Sequence, residues 1–270
     1  MDKNKHINLS GFPLQIGLAH AIESSRPSHG WRVLHSEHGW THEDTHEWGF
    51  IDLVVENQHK TIVLNIECKR PQEATWQFLL PAPEGQLRRD CKFWASYLSQ
   101  SASKYFDWVD LAIDPHSYES EFCVVAGQDA KARPMLERIA ATVVASTEAL
   151  AQEEVKVLRE HLLRVYINVI VTTAKLEVCK FDPKTIDLKK GTIENAEYED
   201  VPYLRFRKQL SPRPKLADPQ GLVNGFESIA KAKENTVLIV EASELVGLLK
   251  KLEIDKGIQH AISISRTPRD

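Results

Sequence analysis

The spacing of apolar residues in the first 70 positions predicts one helix followed by three strands. Apolar side chains recur near helical spacing across residues 14–25, and the Arg26-Pro27 pair ends that helix. Residues 39–49 are polar and rich in histidine, so we expect a loop there. The predicted strands are residues 31–38, 50–56 and 61–69.

Beyond residue 70 the pattern predicts further helices and strands. A stripe formed by Leu87, Cys91, Trp94 and Leu98 indicates a helix over residues 84–105. The other predicted elements are a short buried strand at 121–127, a long helix at about 132–166, strands at 167–173 and 176–181, a strand at 237–241 and a helix at 243–252. We therefore predict an α/β fold.

Composition places the chain among ordinary globular proteins, because hydrophobic residues make up 42% and charged residues 27%. The net charge of -4 means that any basic surface for nucleic acid must be local. The four cysteines are widely separated and have no C-x-x-C spacing, so they form neither a zinc-site pattern nor a disulfide framework. We therefore expect the protein to lie in a reducing compartment. Without a signal peptide or a membrane-spanning apolar run, we expect a cytoplasmic protein.

One acid-x-Lys triplet differs from the other five in the chain. Only Glu67-Cys68-Lys69 lies at the end of a predicted apolar strand, and the strand before it contains an acid, Asp52, among its apolar residues. Alternation along a strand places Glu67 and Lys69 on the same face. If the hairpin is centred between residues 59 and 60, Asp52 lies opposite Glu67, with Cβ atoms about 4.5–5.5 Å apart.

Two facing carboxylates repel each other, so a fold that keeps them requires a bound cation, a shared proton or a neighbouring lysine such as Lys69. Mg²⁺ prefers oxygen ligands and often takes one or two carboxylates together with phosphate and water. Such a cation polarises a scissile phosphate, and Lys69 could orient the attacking water or offset charge on the phosphate. The pattern therefore predicts phosphodiester hydrolysis. The alternative is a strand-end acid beside an exposed cross-strand ion pair.

This arrangement of residues resembles a known motif. The run 49–52 (Gly-Phe-Ile-Asp), a spacing of fourteen residues and the run 67–70 (Glu-Cys-Lys-Arg) resemble the PD-(D/E)XK, or restriction-endonuclease-like, nuclease superfamily. The resemblance implies a core made of a helix, a three-stranded antiparallel meander, a helix and a strand. Residues 1–130 would form this core, and residues 131–270 an α/β extension packed on it. Ile51 stands where the family name has proline.

The resemblance also implies residue roles. Asp52, Glu67 and the Cys68 backbone carbonyl would bind Mg²⁺, for which Mn²⁺ can substitute, and Lys69 would be the catalytic lysine. Family members often add an acid from the first helix, where Glu23 is the only one. For Glu23 the alternative is a solvated residue at the end of a helix.

The implied function is a metal-dependent DNA endonuclease, with defence or repair as a role by analogy. DNA is favoured over RNA as the substrate. A homodimer is expected because many such enzymes cut two strands as dimers, although another protein partner could select the target. The alternatives are a catalytically inert or regulatory nucleic-acid-binding module, and a non-nuclease α/β protein with a chance motif.

Two segments are candidates for phosphate contacts. One opens the predicted helix after Lys69, and the other is the basic and aromatic tract at residues 203–215. The candidate contacts are Gln86, Arg88, Arg89, Arg205, Arg207 and Lys208. For the start of the predicted helix, the alternative is an ordinary solvated helix face. For residues 203–215, the alternative is an edge strand whose charges prevent pairing with other chains.

The histidines and acids that crowd residues 35–47 could form a transition-metal site. A polar loop near an active site is the favoured interpretation, because no H-E-x-x-H spacing occurs. His46 or Glu47 could then reach the metal or the substrate.

Overall fold

The computed structural model describes residues 3–71, 74–81, 87–98, 104–125, 135–157, 163–211 and 233–255. The helices among them are α1 (Lys3–Leu9), α2 (Phe12–Ser25), α3 (Met135–Val157) and α4 (Leu245–Leu249). The strands are β1 (Arg32–Thr41), β2 (Trp48–Glu56), β3 (Ile62–Lys69), β4 (Thr75–Leu80), β5 (Leu87–Leu98), β6 (Lys104–Ser120), β7 (Cys123–Val125), β8 (Leu163–Thr172), β9 (Lys175–Lys180), β10 (Ile186–Asp187), β11 (Thr192–Ile193), β12 (Glu197–Asp200), β13 (Tyr203–Gln209), β14 (Glu234–Glu241) and β15 (Glu253–Ile254).

The start of the chain forms the predicted helix and antiparallel meander. Leu18 and Ile22 bury one side of α2, which ends where the Arg26-Pro27 pair follows. β1 pairs antiparallel with β2, and β2 pairs antiparallel with β3. Leu53 lies opposite Ile66, which confirms the hairpin register predicted from the sequence.

β3 and β8 form the centre of the main sheet. They run parallel with Lys69 opposite Thr172, and β14 runs parallel to the C-terminal half of β8 with Glu241 opposite Thr172. The carboxyl ends of β3, β8 and β14 therefore meet at one end of the sheet. α2 packs on one face of these strands and α3 on the other, each over its own hydrophobic cluster. Since β3 and β8 pair along their lengths, this sheet joins the two halves of the chain.

Five strands close into a barrel that shares β8 with the main sheet. β8 pairs with β14, β14 with β13, β13 with β6, β6 with β5, and β5 returns to β8. One edge of β8 holds two neighbours because β5 pairs with residues 163–166 and β14 with residues 169–172. A separate sheet, ordered β12–β9–β4–β7, packs against the hydrophobic cluster on the α3 side.

The predicted fold class, an α/β protein with a restriction-endonuclease-like core, is wrong. The molecule is mainly β, and its closed five-stranded barrel does not belong to the predicted core. Where a helix was predicted over residues 84–105, the described residues form β5 and the start of β6, which pair antiparallel. Residues 91–96 are all buried, because β5 is covered on both faces. A strand of that kind lacks the alternation that distinguishes it from a helix.

The helix and the parallel strand that accompany β3 come from later in the chain. The predicted helix at 132–166 contains α3, which ends at Val157, and β8 begins at Leu163. The predicted strand at 121–127 forms β7, which pairs with β4 rather than with β3. The predicted strands at 176–181 and 237–241 correspond to β9 and β14.

Candidate active site

The hydrogen-bonded ladder between β2 and β3 ends at the pair Leu53 and Ile66, and Asp52 immediately precedes Leu53 on β2. Its carboxylate, rather than a backbone carbonyl, accepts the Cys68 N–H, with 2.6 Å from Oδ2 to N. This side chain therefore continues the pairing between the two strands where the backbone ladder stops. The sequence placed Asp52 opposite Glu67, and the observed register agrees.

Glu67 and Lys69 form an ion pair beside this point on β3. Two residues earlier on the same strand, Asn65 donates to the Ser146 hydroxyl at 2.8 Å, so this face of β3 looks toward α3. The side chains of Glu67 and Lys69 are 18% and 35% exposed, which leaves both accessible to a small ligand.

α2 fixes the backbone at Asp52 through a residue that the sequence analysis did not single out. Gln15 Nε2 donates to the Asp52 carbonyl oxygen at 2.8 Å. Gln15 is buried and precedes Leu18 by three positions, so it lies on the core-facing side of α2. The available signal was a polar residue in the buried stripe of the helix, whereas the family resemblance indicated only an acid in this helix.

Burial, followed by the negative charge of Glu67, raises the pKa of Asp52 to about 6. The Cys68 N–H and Lys69 act in the opposite direction without balancing these effects, and Glu37 adds a smaller raising contribution. Glu37 lies on β1 between Ser36 and His38, in a left-handed conformation with φ of 54°. Three acids on three neighbouring strands thus concentrate negative charge around Asp52.

The residues present fit a hard divalent cation held by few protein ligands. Asp52 uses Oδ2 for the Cys68 N–H, and Glu67 uses Oε1 for Lys69, so each carboxylate retains a second oxygen. Among the described residues no group of three or more His, Cys, Asp and Glu side chains is arranged to hold a metal ion. Mg²⁺ nevertheless commonly binds through one or two carboxylates, with water and substrate phosphate completing its shell.

Cys68 can contribute its backbone but not its thiolate. The Lys69 carbonyl accepts the Thr173 N–H beside β8. Backbone N–H and C=O groups of successive strand residues point to opposite edges of the strand. Since the Lys69 carbonyl points toward β8, the N–H and carbonyl of Cys68 point toward β2 and Asp52. Burial, with smaller contributions from Asp52 and Glu67, raises the pKa of the Cys68 thiol well above its usual range. The thiol therefore stays protonated.

Glu23 lies elsewhere on α2. Its Oε1 accepts the Val33 N–H at 2.6 Å, and its other oxygen is 3.9 Å from Arg26. Gln15, the α2 residue that does contact Asp52, lies eight positions earlier, or about 12 Å along the helix axis. The structure therefore brings Asp52, Glu67, Cys68 and Lys69 together, and it places Glu23 at the start of β1.

The predicted phosphate-binding residues are not gathered around Asp52. Arg205 is 1% exposed and lies among the barrel strands, where it donates to the carbonyls of Ile113 and Pro115 at 2.7 and 3.0 Å. Arg207 pairs with Asp110 and Glu234, and Lys208 with Glu137. β13 runs antiparallel to β14, so Arg207 and Lys208 lie toward the end of the sheet remote from Lys69. Arg89 pairs with Asp114, Arg88 is exposed, and Gln86 lies outside the described residues.

Of the loop predicted at residues 39–49, residues 42–47 form a loop, because β1 extends to Thr41 and β2 begins at Trp48. His38 is 3.1 Å from Glu153 of α3, and His42 organises the loop through its ring. The segment was predicted as a loop from residue 39 because its polar residues mask the alternation of an edge strand.

Among the described residues, no helix combines the length and apolar character that crossing a bilayer requires. Comparison of the chain with protein-family models, curated proteins and solved structures finds no match. The geometry of the site is therefore the basis on which a function can be argued.

Proposed function

We propose that the chain is a metal-dependent nuclease that hydrolyses phosphodiester bonds, with DNA as its substrate and endonucleolytic cleavage as its activity. The observation that carries the proposal is that Asp52, just beyond the last β2–β3 pair, lies close enough to Glu67 and Lys69 for both to act on its pKa, while Glu67 and Lys69 form an ion pair. These three residue types at this spacing also carry the resemblance to the PD-(D/E)XK superfamily.

The electrostatics of the site support a bound cation. Asp52 and Glu67 place two carboxylates in a half-buried position, and Lys69 is the neighbouring positive charge. A divalent cation between them would relieve the repulsion that the carboxylates exert on each other. Asp52, Glu67 and the Cys68 carbonyl would hold Mg²⁺, with Mn²⁺ as a substitute.

A bound Mg²⁺ would polarise the scissile phosphate and lower the pKa of a water molecule. Lys69 carries three donor hydrogens on a flexible stem, so it can orient the attacking water or hydrogen-bond a phosphate oxygen as charge develops. Gln15 is a positioning residue, because it fixes the Asp52 backbone without reaching the reacting atoms. In the reaction, the water oxygen forms a new bond to phosphorus and gives up a proton to solvent, while the bond to the leaving sugar oxygen breaks and that oxygen takes up a proton from solvent.

The proposal is tested by incubating the purified protein with plasmid, linear duplex and single-stranded DNA and RNA, in Mg²⁺, Mn²⁺ or EDTA. Cleavage should require the metal and fall at least about 100-fold in Asp52→Asn and Lys69→Ala, since each removes a group needed at the reacting centre. Gel electrophoresis of the products separates nicking, linearisation and end degradation.

Lys189→Ala is the matched control, because Lys189 is an exposed lysine in a second acid-x-Lys triplet, Asp187-Leu188-Lys189. It should leave cleavage unchanged. Cleavage that survives Asp52→Asn would contradict the proposal. If no substrate is cut, calorimetric Mn²⁺ binding that disappears in Asp52→Asn would show a cation site. If Mn²⁺ does not bind either, a catalytically inert nucleic-acid-binding module explains the chain better than a nuclease does.

A further inference from the structure

A cavity of about 470 Å³ lies between the β1–β2 loop and α3, outside the candidate active site. We call it the loop–helix cavity. Trp40 and Trp48 line it from β1 and β2, His42 from the loop, and Arg138 and Glu148 from α3. Its volume falls in the range of small-molecule sites, which are generally apolar pockets with a few placed polar groups.

The polar groups in the cavity are buried and oriented. His42 and Glu148 are each 7% exposed, and His42 Nε2 lies 3.7 Å from Glu148 Oε1. The His42 Nδ1 atom accepts the N–H groups of Asp44 and Thr45 at 3.2 and 3.3 Å. Since a neutral imidazole carries one proton, these bonds place it on Nε2, which faces Glu148. Gln152 Nε2 also donates to Glu148 Oε1 at 3.3 Å, so the carboxylate and the imidazole that line the cavity are both held in place.

Two indoles provide the aromatic surface. Trp40 is 5% exposed and packs over Gly49, where an added Cβ would lie 3.3 Å from the indole Nε1. Trp48 is 73% exposed, so most of this large apolar side chain has no protein contact. An exposed tryptophan beside a lined cavity is suited to stacking on a planar ligand.

We propose that the loop–helix cavity binds a nucleobase, and guanine in particular, stacked on Trp48. Guanine presents adjacent N–H donors on one edge, which match the Glu148 carboxylate, and acceptors O6 and N7 on another, which match an arginine such as Arg138. Asp44, Glu47 and Glu148 line the cavity and would repel a phosphate group, so the base enters the cavity and the phosphate stays outside. The choice of a nucleobase over other planar donors rests on the proposed nuclease function.

The position of the cavity relative to Asp52 suits a base near the cleavage point. Trp48 and Asp52 lie on the same strand, four residues apart, which is about 13 Å along β2. A nucleic acid bound at Asp52 could therefore place a nearby unstacked base in the loop–helix cavity. Recognition of such a base would select substrates with an unpaired or extrahelical guanine.

The test titrates the full chain in EDTA, by calorimetry, with GMP, IMP and UMP. It then uses oligothymidylate carrying one central deoxyguanosine or one deoxyinosine. GMP should bind more tightly than IMP, by about tenfold, because IMP lacks the 2-amino donor. Trp48→Ala should weaken GMP binding roughly 5- to 150-fold, the loss expected for one stacked base. Glu148→Gln should remove the preference for GMP over IMP.

Tyr198→Ala and Glu153→Gln are the matched controls. Tyr198 is an exposed aromatic residue on β12, and Glu153 is an exposed acid on α3 that does not line the cavity. Both should bind GMP as the unmodified chain does. Because Trp48 is exposed, its variant should fold even if Glu148→Gln does not.

Equal affinity for the three nucleotides, or unchanged binding in Trp48→Ala, would overturn the proposal. Binding of tetramethylammonium in place of GMP would overturn it in favour of an organic cation. Tighter binding of the guanine oligonucleotide than of GMP supports a base within nucleic acid, and equal binding supports a free nucleotide. Since the titrations need neither metal nor cleavage, Asp52→Asn should bind GMP normally whether or not the nuclease proposal holds.

Discussion

At the scale of single residues, Asp52 is half-buried beside Glu67, and its carboxylate accepts the Cys68 N–H. Its raised pKa means that ionising this carboxyl costs stability in the metal-free protein. A residue that serves only to end a strand pairing could be replaced by a neutral acceptor without loss. The same replacement in a cation site removes a ligand, so stability and activity should respond in opposite directions.

Asp52→Asn should therefore stabilise the metal-free protein at neutral pH. The pKa of Asp52 rises from 3.8 to about 6 on folding, so the cost of its charge grows between these values and is constant above them. At pH 8 in EDTA, the free energy of unfolding of the variant should exceed that of the unmodified chain by about 1–3 kcal/mol. Urea unfolding at pH 8 and pH 5 measures this difference.

The difference should shrink at pH 5, where the Asp52 carboxyl is largely protonated, and in saturating Mg²⁺, which stabilises only the unmodified chain. A variant that is less stable than the unmodified chain at pH 8 would show that the Asp52 carboxylate is structural.

At the scale of elements, one arginine connects a strand, a hairpin and a helix. Arg164 of β8 donates to Glu56 of β2 at 2.7 Å and to Glu154 of α3 at 2.9 Å, and the Tyr166 hydroxyl also donates to Glu154. Burial raises the pKa of Glu56, but hydrogen bonds from Arg164 and Arg32 outweigh it, and the pKa lies below the ordinary 4.5. The stabilisation from Glu56 is therefore present above pH 4.5 and lost as the pH falls through its lower folded value.

Arg164→Met should reduce the free energy of unfolding by about 3–5 kcal/mol, because it removes the main partner of the buried Glu56 carboxylate and of the partly buried Glu154 carboxylate. Arg26→Met is the control, since Arg26 and Glu23 form an exposed pair 3.9 Å apart that should contribute at most about 1 kcal/mol. Urea unfolding of both variants at pH 7 provides the measurement. Equal losses in the two variants would contradict a special role for the buried network.

At the scale of the whole molecule, β8 is the strand on which the main sheet and the barrel depend. It pairs with β3 along one edge and with β5 and β14 along the other, and residues 164–172 are all buried. β3, which carries Glu67 and Lys69, therefore needs a strand from the second half of the chain. The candidate active site depends on this pairing although its residues lie within 52–69.

A fragment of residues 1–130 should accordingly fail to fold. It would expose one complete edge of β3 and the apolar face that α3 covers in the full chain. Circular dichroism and urea titration should show no cooperative unfolding, in contrast to the full chain. A fragment that unfolds cooperatively and binds Mn²⁺ would contradict this dependence.

Local sequence patterns were sufficient to predict α2, the β2–β3 hairpin and its register. These depend on contacts between near neighbours: Leu18 and Ile22 lie on one side of a helix, and a short turn joins two apolar strands. The same local rules place Asp52 opposite Glu67 and Lys69 beside it. The site residues were therefore predictable to the extent that they lie on a single hairpin.

The surroundings of that hairpin depend on contacts between residues that are distant in the sequence. Cys91 and Trp94 suggested one helical stripe, but they belong to clusters on opposite sides of β5, a strand whose burial comes from distant partners. The same is true of Arg205, which the sequence presents as one of a basic series and the fold buries among barrel strands. Burial on both faces and pairing with remote strands are set by long-range contacts, and these leave no periodic signal in the residues themselves.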